Sequence, residues 1–451
     1  MKTWGQWLFA LTFALTIIFL SACASAPKTQ VTPLTIPTTN TSITITFWHT
    51  ETDVAATTLN ALANDFHKAY PSITVRGEQK TNEGDLLRQG VAAMAMNQTP
   101  DFIIADSRTI AEFARKGALV NLDTLASDSQ QGLSDAERND YMPGMLDAGR
   151  LPDVNNQWFA FPFDKSAVVL YYNIDLLKAA KADAPPRTWD QFGNAARATT
   201  RGNAHGWATS PSAMVFYAFL FSRGSSVLAT RDTQMQAQFG DDAGLNSLQL
   251  IAQLNKGGAA YLADSADSAR NDFAQAKTAL LFDTTDNLAV MADAISRAGN
   301  FQWGVTNIPQ SDPTKPSTVV FGADIAIFKP ALSGTNGNAN ERVRATWLFA
   351  RWLTLPEQSA RWSRATFSIP VRVSALGLLA NPQSVPPNFQ RLRDGWSGVL
   401  PTGYPMSAVK DAGLIDAVMV EMWTNVVNGT DPAAALKNAT TRVNRLLGLV
   451  Q

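Results

Sequence analysis

Hydrophobic and polar positions change period several times along the chain, and each change predicts an element. SITITFWH, Ser42 to His49, alternates β-branched and polar residues and ends on an aromatic pair, the pattern of a strand. Behind it Leu59, Leu62, Phe66 and Ala69 recur at spacings of three and four. That period predicts a helix, with Asp53 as its cap and Pro71 beyond its end. SITVRGEQ reads as a second strand, and Glu83 to Met96 as a second helix with Leu87, Val91 and Met94 on one face. The apolar run Phe102 to Ala105 suits a strand covered on both faces, and TIAEFARKG a helix stopped at Gly117. Strand and helix alternating in this way predict a largely parallel α/β sheet.

A second unit opens at FAFPFDKSAVVLYYNIDLLKAA, where Ala167 to Tyr172 is a strand and Asn173 a helix cap. Thr188 and Gln191, just behind two prolines, form a capping box. Helical patterns dominate as far as Leu254, and a strand returns near Leu280. STVVFGADIAIFKP, Ser317 to Pro330, reads as one strong strand with Gly322 in its middle. NERVRATWLFARWL and DPAAALKNATTRVNRLLGLV are helical.

The first residues follow a different logic. Lys2 precedes an apolar core, Leu8 to Leu20, shorter than the roughly 20 residues a membrane-spanning helix needs. Charged start, short core and small residues behind it are the layout of a secretory signal. Cys23 is the only cysteine in 451 residues, so neither an internal disulfide nor a Cys-based metal site is available to it. Leu20-Ser21-Ala22-Cys23 resembles the lipobox of bacterial lipoproteins, which implies a signal peptide over 1–22 and a lipid on Cys23. The Thr-, Pro- and Ser-rich stretch that follows, 23–42, cannot bury a core and reads as a tether.

The remaining body is long enough for two domains. A formal charge of −1 and the absence of a basic stripe exclude nucleic acid as a partner. Phosphate-loop, zinc-protease, serine-hydrolase and dinucleotide motifs are missing, and three histidines are too few for a His-rich metal site. No cofactor and no metal are expected.

What remains is a set of aromatic and polar residues at the carboxyl ends of the predicted strands, where open α/β sheets bind ligands. Trp48, His49, Thr50 and Glu51 follow the first strand, Gln79 the second, and Asp106 and Ser107 the third. Asp164 and Lys165 precede a strand, and Asp283 ends another. Trp207, Asp324, Arg372, Trp396 and Tyr404 complete the candidates. Aromatic faces flanked by carboxylates and amides suit a sugar ring and its hydroxyls. Asp106 and Asp164 serve equally well as helix caps or hinge groups.

Four passages together resemble the family 1 extracellular solute-binding proteins of bacterial ABC importers: ITFWHT…ALANDFHKAYPSITV, VLYYNIDLLKAA…PPRTWDQF, RATWLFARWLTLPEQSARWS…FSIPVR and DPAAALKNATTRVNRLL. The resemblance implies a type II periplasmic-binding-protein fold, two α/β lobes joined by hinge crossovers around a ligand cleft. It implies an N-terminal lobe of 43–162 plus 323–385 and a C-terminal lobe of 163–322 plus 386–451. Crossovers are expected near Phe163, near Gly322 and between about 375 and 405.

The function implied is a binding protein, not an enzyme: a lipid-anchored, extracytoplasmic monomer that delivers a carbohydrate to permease subunits. FWHT and PFDKSAVVLYYN are similar to the glycerol-3-phosphate-binding members, with Lys165 and Arg372 as candidate phosphate cations. Yet the tyrosine and glutamate those members carry after strands two and three are not evident, and Asp324 adds a negative charge at the hinge. The expected ligand is therefore a neutral sugar, with glycerol 3-phosphate as the alternative. A surface glycoside hydrolase and a binding protein serving a membrane sensor are the rival readings.

Overall fold

The computed structural model describes residues 42–449, apart from 183, 233, 300, 331–338, 382–403, 406–408 and 410. The signal peptide, Cys23, the tether and Trp396 lie outside the described residues. In chain order the strands that build the two main sheets begin with β1 (Ile43–His49), β2 (Ile73–Gln79), β3 (Phe102–Asp106) and β4 (Phe161–Pro162). Then come β5 (Ser166–Asn173), β6 (His205–Thr209), β7 (Ala260–Leu262) and β8 (Thr278–Thr284). The last are β9 (Trp303–Thr306), β10 (Val319–Phe321), β11 (Ala323–Ile327) and β12 (Tyr404–Pro405).

The first sheet has the order β2-β1-β3-β11-β4, with β1 parallel to both neighbours and β11 antiparallel to β3 and β4. Helices α1 (Asp53–Ala69), α2 (Glu83–Met96) and α3 (Ser107–Arg115) return the chain between its strands. The second sheet has the order β7-β6-β8-β5-β10-β12, and β5 is antiparallel to β8, β9 and β10. Each sheet buries its own core. Phe47 stacks on Phe102 at 4.7 Å under Phe66 and Phe349 in the first, and Phe192, Trp207, Phe219, Phe282 and Trp423 fill the second.

Four local expectations are corrected. Thr52, not Asp53, occupies the cap position of α1, and Asp53 is the first helical residue, at φ 47°. The face α2 buries is centred on Leu86, Gly90 and Ala93, while Val91 is exposed. The reason is Gly90: a Cβ there would lie 2.4 Å from the Phe113 ring, so α2 turns its smallest residue to α3. Gly322 does not sit inside one strand. It divides the run into β10, in the second sheet, and β11, in the first. Between Thr199 and Leu254 the chain is also less helical than its pattern implies, since HGWAT, His205–Thr209, is strand β6.

Other signals hold. Asn173 accepts from Leu176 N at 2.9 Å, and the Thr188/Gln191 capping box is formed. Gly117 takes φ 72° just past α3, as a helix stop requires.

Candidate functional site

The two sheets are tied by segments that run between them. One is Phe163-Asp164-Lys165, from β4 to β5; another is Gly322, from β10 to β11. Asp164 N donates to Ala323 O at 3.0 Å, and Ile369 N donates to Lys165 O at 2.6 Å, so three strands of chain meet at the hinge. Gly322 has φ 131°, and a Cβ on it would stand 2.2 Å from Asp164 O. Only glycine fits both the dihedral and the approach.

Side chains lock the same point. Lys165 Nζ lies 2.6 Å from Asp324 Oδ1, and the two residues are 4% and 5% exposed. Ser107 Oγ donates to the other Asp324 oxygen at 3.1 Å. Trp362 packs on Phe163 at 4.6 Å and donates Nε1–H to Asp164 Oδ1 at 3.0 Å. Burial raises the Asp164 and Asp324 carboxyls, against the opposing pull of these donors and of Lys165.

On the first-sheet side the carboxyl ends of β1 and β3 and the start of α2 present Thr50, Glu51, Glu83 and Asp106. Thr50 Oγ1 donates to Glu83 Oε1 at 3.2 Å, and Asp106 caps α3 by accepting from Thr109 N at 2.6 Å. On the second-sheet side the turn after β8 presents Asp286, which accepts from Ser166 Oγ at 3.1 Å and from the Thr284 hydroxyl. Glu51 is pushed up to about 8 by burial, and then by the like charges of Asp164, Glu83 and Asp286. Those three groups come from the hinge, from the start of α2 on the first-sheet side and from the turn after β8 on the second-sheet side. Glu83 is raised as well, by burial and the charge of Asp106.

The sequence-derived candidates divide sharply in this arrangement. Thr50, Glu51, Asp106, Ser107, Asp164, Lys165 and Asp324 come together at the hinge and the adjoining strand ends. Gln79 is exposed at the tip of β2, the edge strand, and Tyr404 opens β12 beside Val319. Asp283 stays at the end of β8, held by Arg270 Nε at 3.1 Å and Asn287 Nδ2 at 2.8 Å.

Four of the expected ligand contacts are engaged by other partners in this structure. His49 alternates inward with Ile45 and Phe47, is buried, and packs 5.4 Å from the Phe47 ring; burial lowers its pKa. Trp48 is half-buried, carries the Lys80 ammonium 3.8 Å from its ring centroid and packs beside the first-sheet core. Trp207 lies within the second-sheet core, 5.3 Å from Phe192 and 5.5 Å from Phe282. Arg372 is 2% exposed and spends its guanidinium on Thr354 O at 2.8 Å and Glu137 O at 2.9 Å, over the Tyr141 ring.

Sequence reasoning overlooked Glu83 and Asp286. Both had a signal, because each closely follows the carboxyl end of a strand, but both had been absorbed into the helix or turn behind it.

The chain matches the family described as bacterial extracellular solute-binding protein over residues 50–360, more than half its length. It belongs to that family. As a family member it is a binding protein and not an enzyme. The sn-glycerol-3-phosphate-binding periplasmic protein UgpB of Rhizobium meliloti is 24% identical over 340 residues, which are 73% of this chain and 75% of that one. UgpB of Yersinia enterocolitica is 22% identical over 346 residues, 74% of this chain and 75% of the relative.

Among solved structures, the cyclic alpha-maltosyl-1,6-maltose binding protein of Arthrobacter globiformis superposes with a TM-score of 0.75 at 18% identity, covering 90% of this chain and 99% of that one. UgpB of Mycobacterium tuberculosis, solved with glycerophosphocholine, gives 0.69 at 19% identity, covering 90% and 98%. At these identities the structures establish the two-lobed fold of this solute-binding protein. No helix among its described residues is long and apolar enough to cross a membrane.

Proposed function

We propose that this solute-binding protein captures a neutral carbohydrate between its lobes and delivers it to the permease of an ABC importer, while Cys23 holds it to the membrane by a lipid. The observation that carries the choice of ligand is the fate of the cations. Lys165 is matched to Asp324 at 2.6 Å, Arg372 to backbone carbonyls, and Arg108 to Asp416 at 2.7 Å. With the cations among the described residues, a phosphate would have to displace one of these pairs and then sit among Glu51, Glu83, Asp164 and Asp286. Sugar hydroxyls, as donors, suit those carboxylates. Thr50, Glu51, Asp106, Ser107 and Asp164 are the contacts we assign, joined by Glu83 and Asp286.

The lobes we assign are 43–162 plus 323–385 and 163–322 plus 386–451. The membership of the two sheets supports this division. At the back of the hinge the packing is shared, because Met142, Ala360, Ile369 and Ala375 belong to one apolar cluster with Ala167 and Val169 of β5.

A second reading, glycerol 3-phosphate or a related phosphodiester, is favoured by the names of the relatives, UgpB among them. Thermal-shift and calorimetric titration with neutral mono-, di- and oligosaccharides, glycerol 3-phosphate and glycerophosphocholine separates the two. A true ligand at 100 times its Kd adds about 2.7 kcal/mol of stability. A response to a neutral sugar recovered unchanged supports the proposal; a response confined to the phosphorylated compounds replaces it with the second reading.

A further inference from the structure

Arg108 stands in the first turn of α3, which packs on β3 and β11 of the first sheet. Asp416 stands near the start of the helix Ala412–Val427, whose Ile415, Met419, Met422 and Trp423 belong to the core of the second sheet. Arg108 Nη1 lies 2.7 Å from Asp416 Oδ2, and the Tyr217 hydroxyl, also from the second lobe, donates to Asp416 Oδ1 at 2.6 Å. On its own lobe Arg108 Nε is 3.6 Å from Asp106 Oδ2. The guanidinium is thus shared between a carboxylate of each lobe.

Among the described residues, the ion pairs that join elements of different sheets are this one and Lys165–Asp324 at the hinge. The two differ in kind. The hinge pair is buried at the pivot, where opening changes distances least. Arg108 and Asp416 stand on helices that pack on different sheets, and their side chains are 42% and 19% exposed. Moving α3 away from the helix Ala412–Val427 would break the pair and hydrate both ends.

We propose that Arg108 and Asp416, steadied by Tyr217, form a clasp that holds the lobes together without help from ligand. In a binding protein whose closed form is the loaded form, such a contact biases the balance between open and closed before any solute arrives. The inference rests on the two-lobed fold and not on which solute is bound.

Small-angle scattering of the full-length, ligand-free chain tests it, with circular dichroism to verify folding. Arg108→Gln and Asp416→Asn should each raise the radius of gyration at low salt, and the double variant should rise no further than either single. The unsubstituted protein provides a second, mutation-free measurement. The Debye length falls to about 3 Å at 1 M salt, so its radius should grow with salt toward that of the variants, whose own radius stays flat. Equal radii for the parent and Arg108→Gln at low salt would overturn the clasp, as would additive rises in the double variant or a parent radius indifferent to salt.

Discussion

Lys165 sits on one crossover between the sheets and Asp324 in β11, just past another, and their charged atoms are 2.6 Å apart in a nearly water-free setting. Removing one partner leaves the other as an uncompensated buried charge, which costs far more than the pair itself contributes. Lys165→Met should therefore lower unfolding stability by about 3–5 kcal/mol, read as a shift of the urea midpoint. Replacing both, as Lys165→Met with Asp324→Leu, should restore most of the loss. A single variant as stable as the parent would show that the hinge does not depend on this pair.

Glu51 makes stability depend on pH with a definite sign. Its folded pKa of about 8 lies above its ordinary value of 4.5, because of burial and the charges of Asp164, Glu83 and Asp286. Between those pH values the folded protein holds a proton that the unfolded chain has released. Its contribution is complete below pH 4.5 and is lost as pH rises through 8. Glu51→Gln removes this proton equilibrium, so the melting temperature of the variant should gain on the parent between pH 5 and 8.5. Parallel pH profiles for the two proteins would contradict the assignment.

Gly322→Ala should be destabilising even though it adds a single methyl group. The residue takes φ 131°, and the new Cβ would meet Asp164 O at 2.2 Å. Strain at the dihedral alone costs on the order of 1–3 kcal/mol, and relieving the clash requires the crossovers to part. A lowered melting temperature is expected, together with an altered radius of gyration. An unchanged melting temperature would remove the glycine from the hinge argument.

Arg372→Ala separates a structural from a ligand-binding role. The guanidinium donates to Thr354 O and Glu137 O and covers the Tyr141 ring, so its loss strands buried carbonyls. Each buried acceptor left without a donor costs about 1–3 kcal/mol. Stability should fall by a few kcal/mol, while the Kd of whichever solute responds in the binding screen stays within about threefold. A large loss of affinity at preserved stability would return Arg372 to the binding site.

Cys23→Ser tests the anchor. In cells producing the chain, the unsubstituted protein should fractionate with membranes and the variant should not. Equal membrane association would mean that something other than a lipid on Cys23 holds it there.

Several features were settled by local chemistry and could be read in order along the chain. The alternation of Ile43, Ile45 and Phe47 sets β1, and the spacing of Leu59, Leu62 and Phe66 sets α1. Asn173 and the Thr188/Gln191 box mark helix starts, because the partners of a cap lie within one turn. The strand pattern ran unbroken through Gly322, where only the family resemblance placed a crossover, and Glu51, Asp106 and Asp164 stood out beside predicted strand ends.

Tertiary structure alone decided which of the candidate residues are buried or already paired. Trp48 and Trp207 share composition and context with ligand platforms, yet one is covered by Lys80 and the other is enclosed by Phe192, Phe282 and Trp423. Lys165 and Arg372 read as phosphate cations until Asp324, Thr354 O and Glu137 O are brought beside them. Asp416, more than 300 positions from Arg108, carried no sequence signal as its partner. Periodicity and capping act within a few residues, whereas exposure and charge pairing depend on what the rest of the chain places alongside. The sequence by itself thus determined the fold class; packing decided which candidate side chains are buried and which charges are paired.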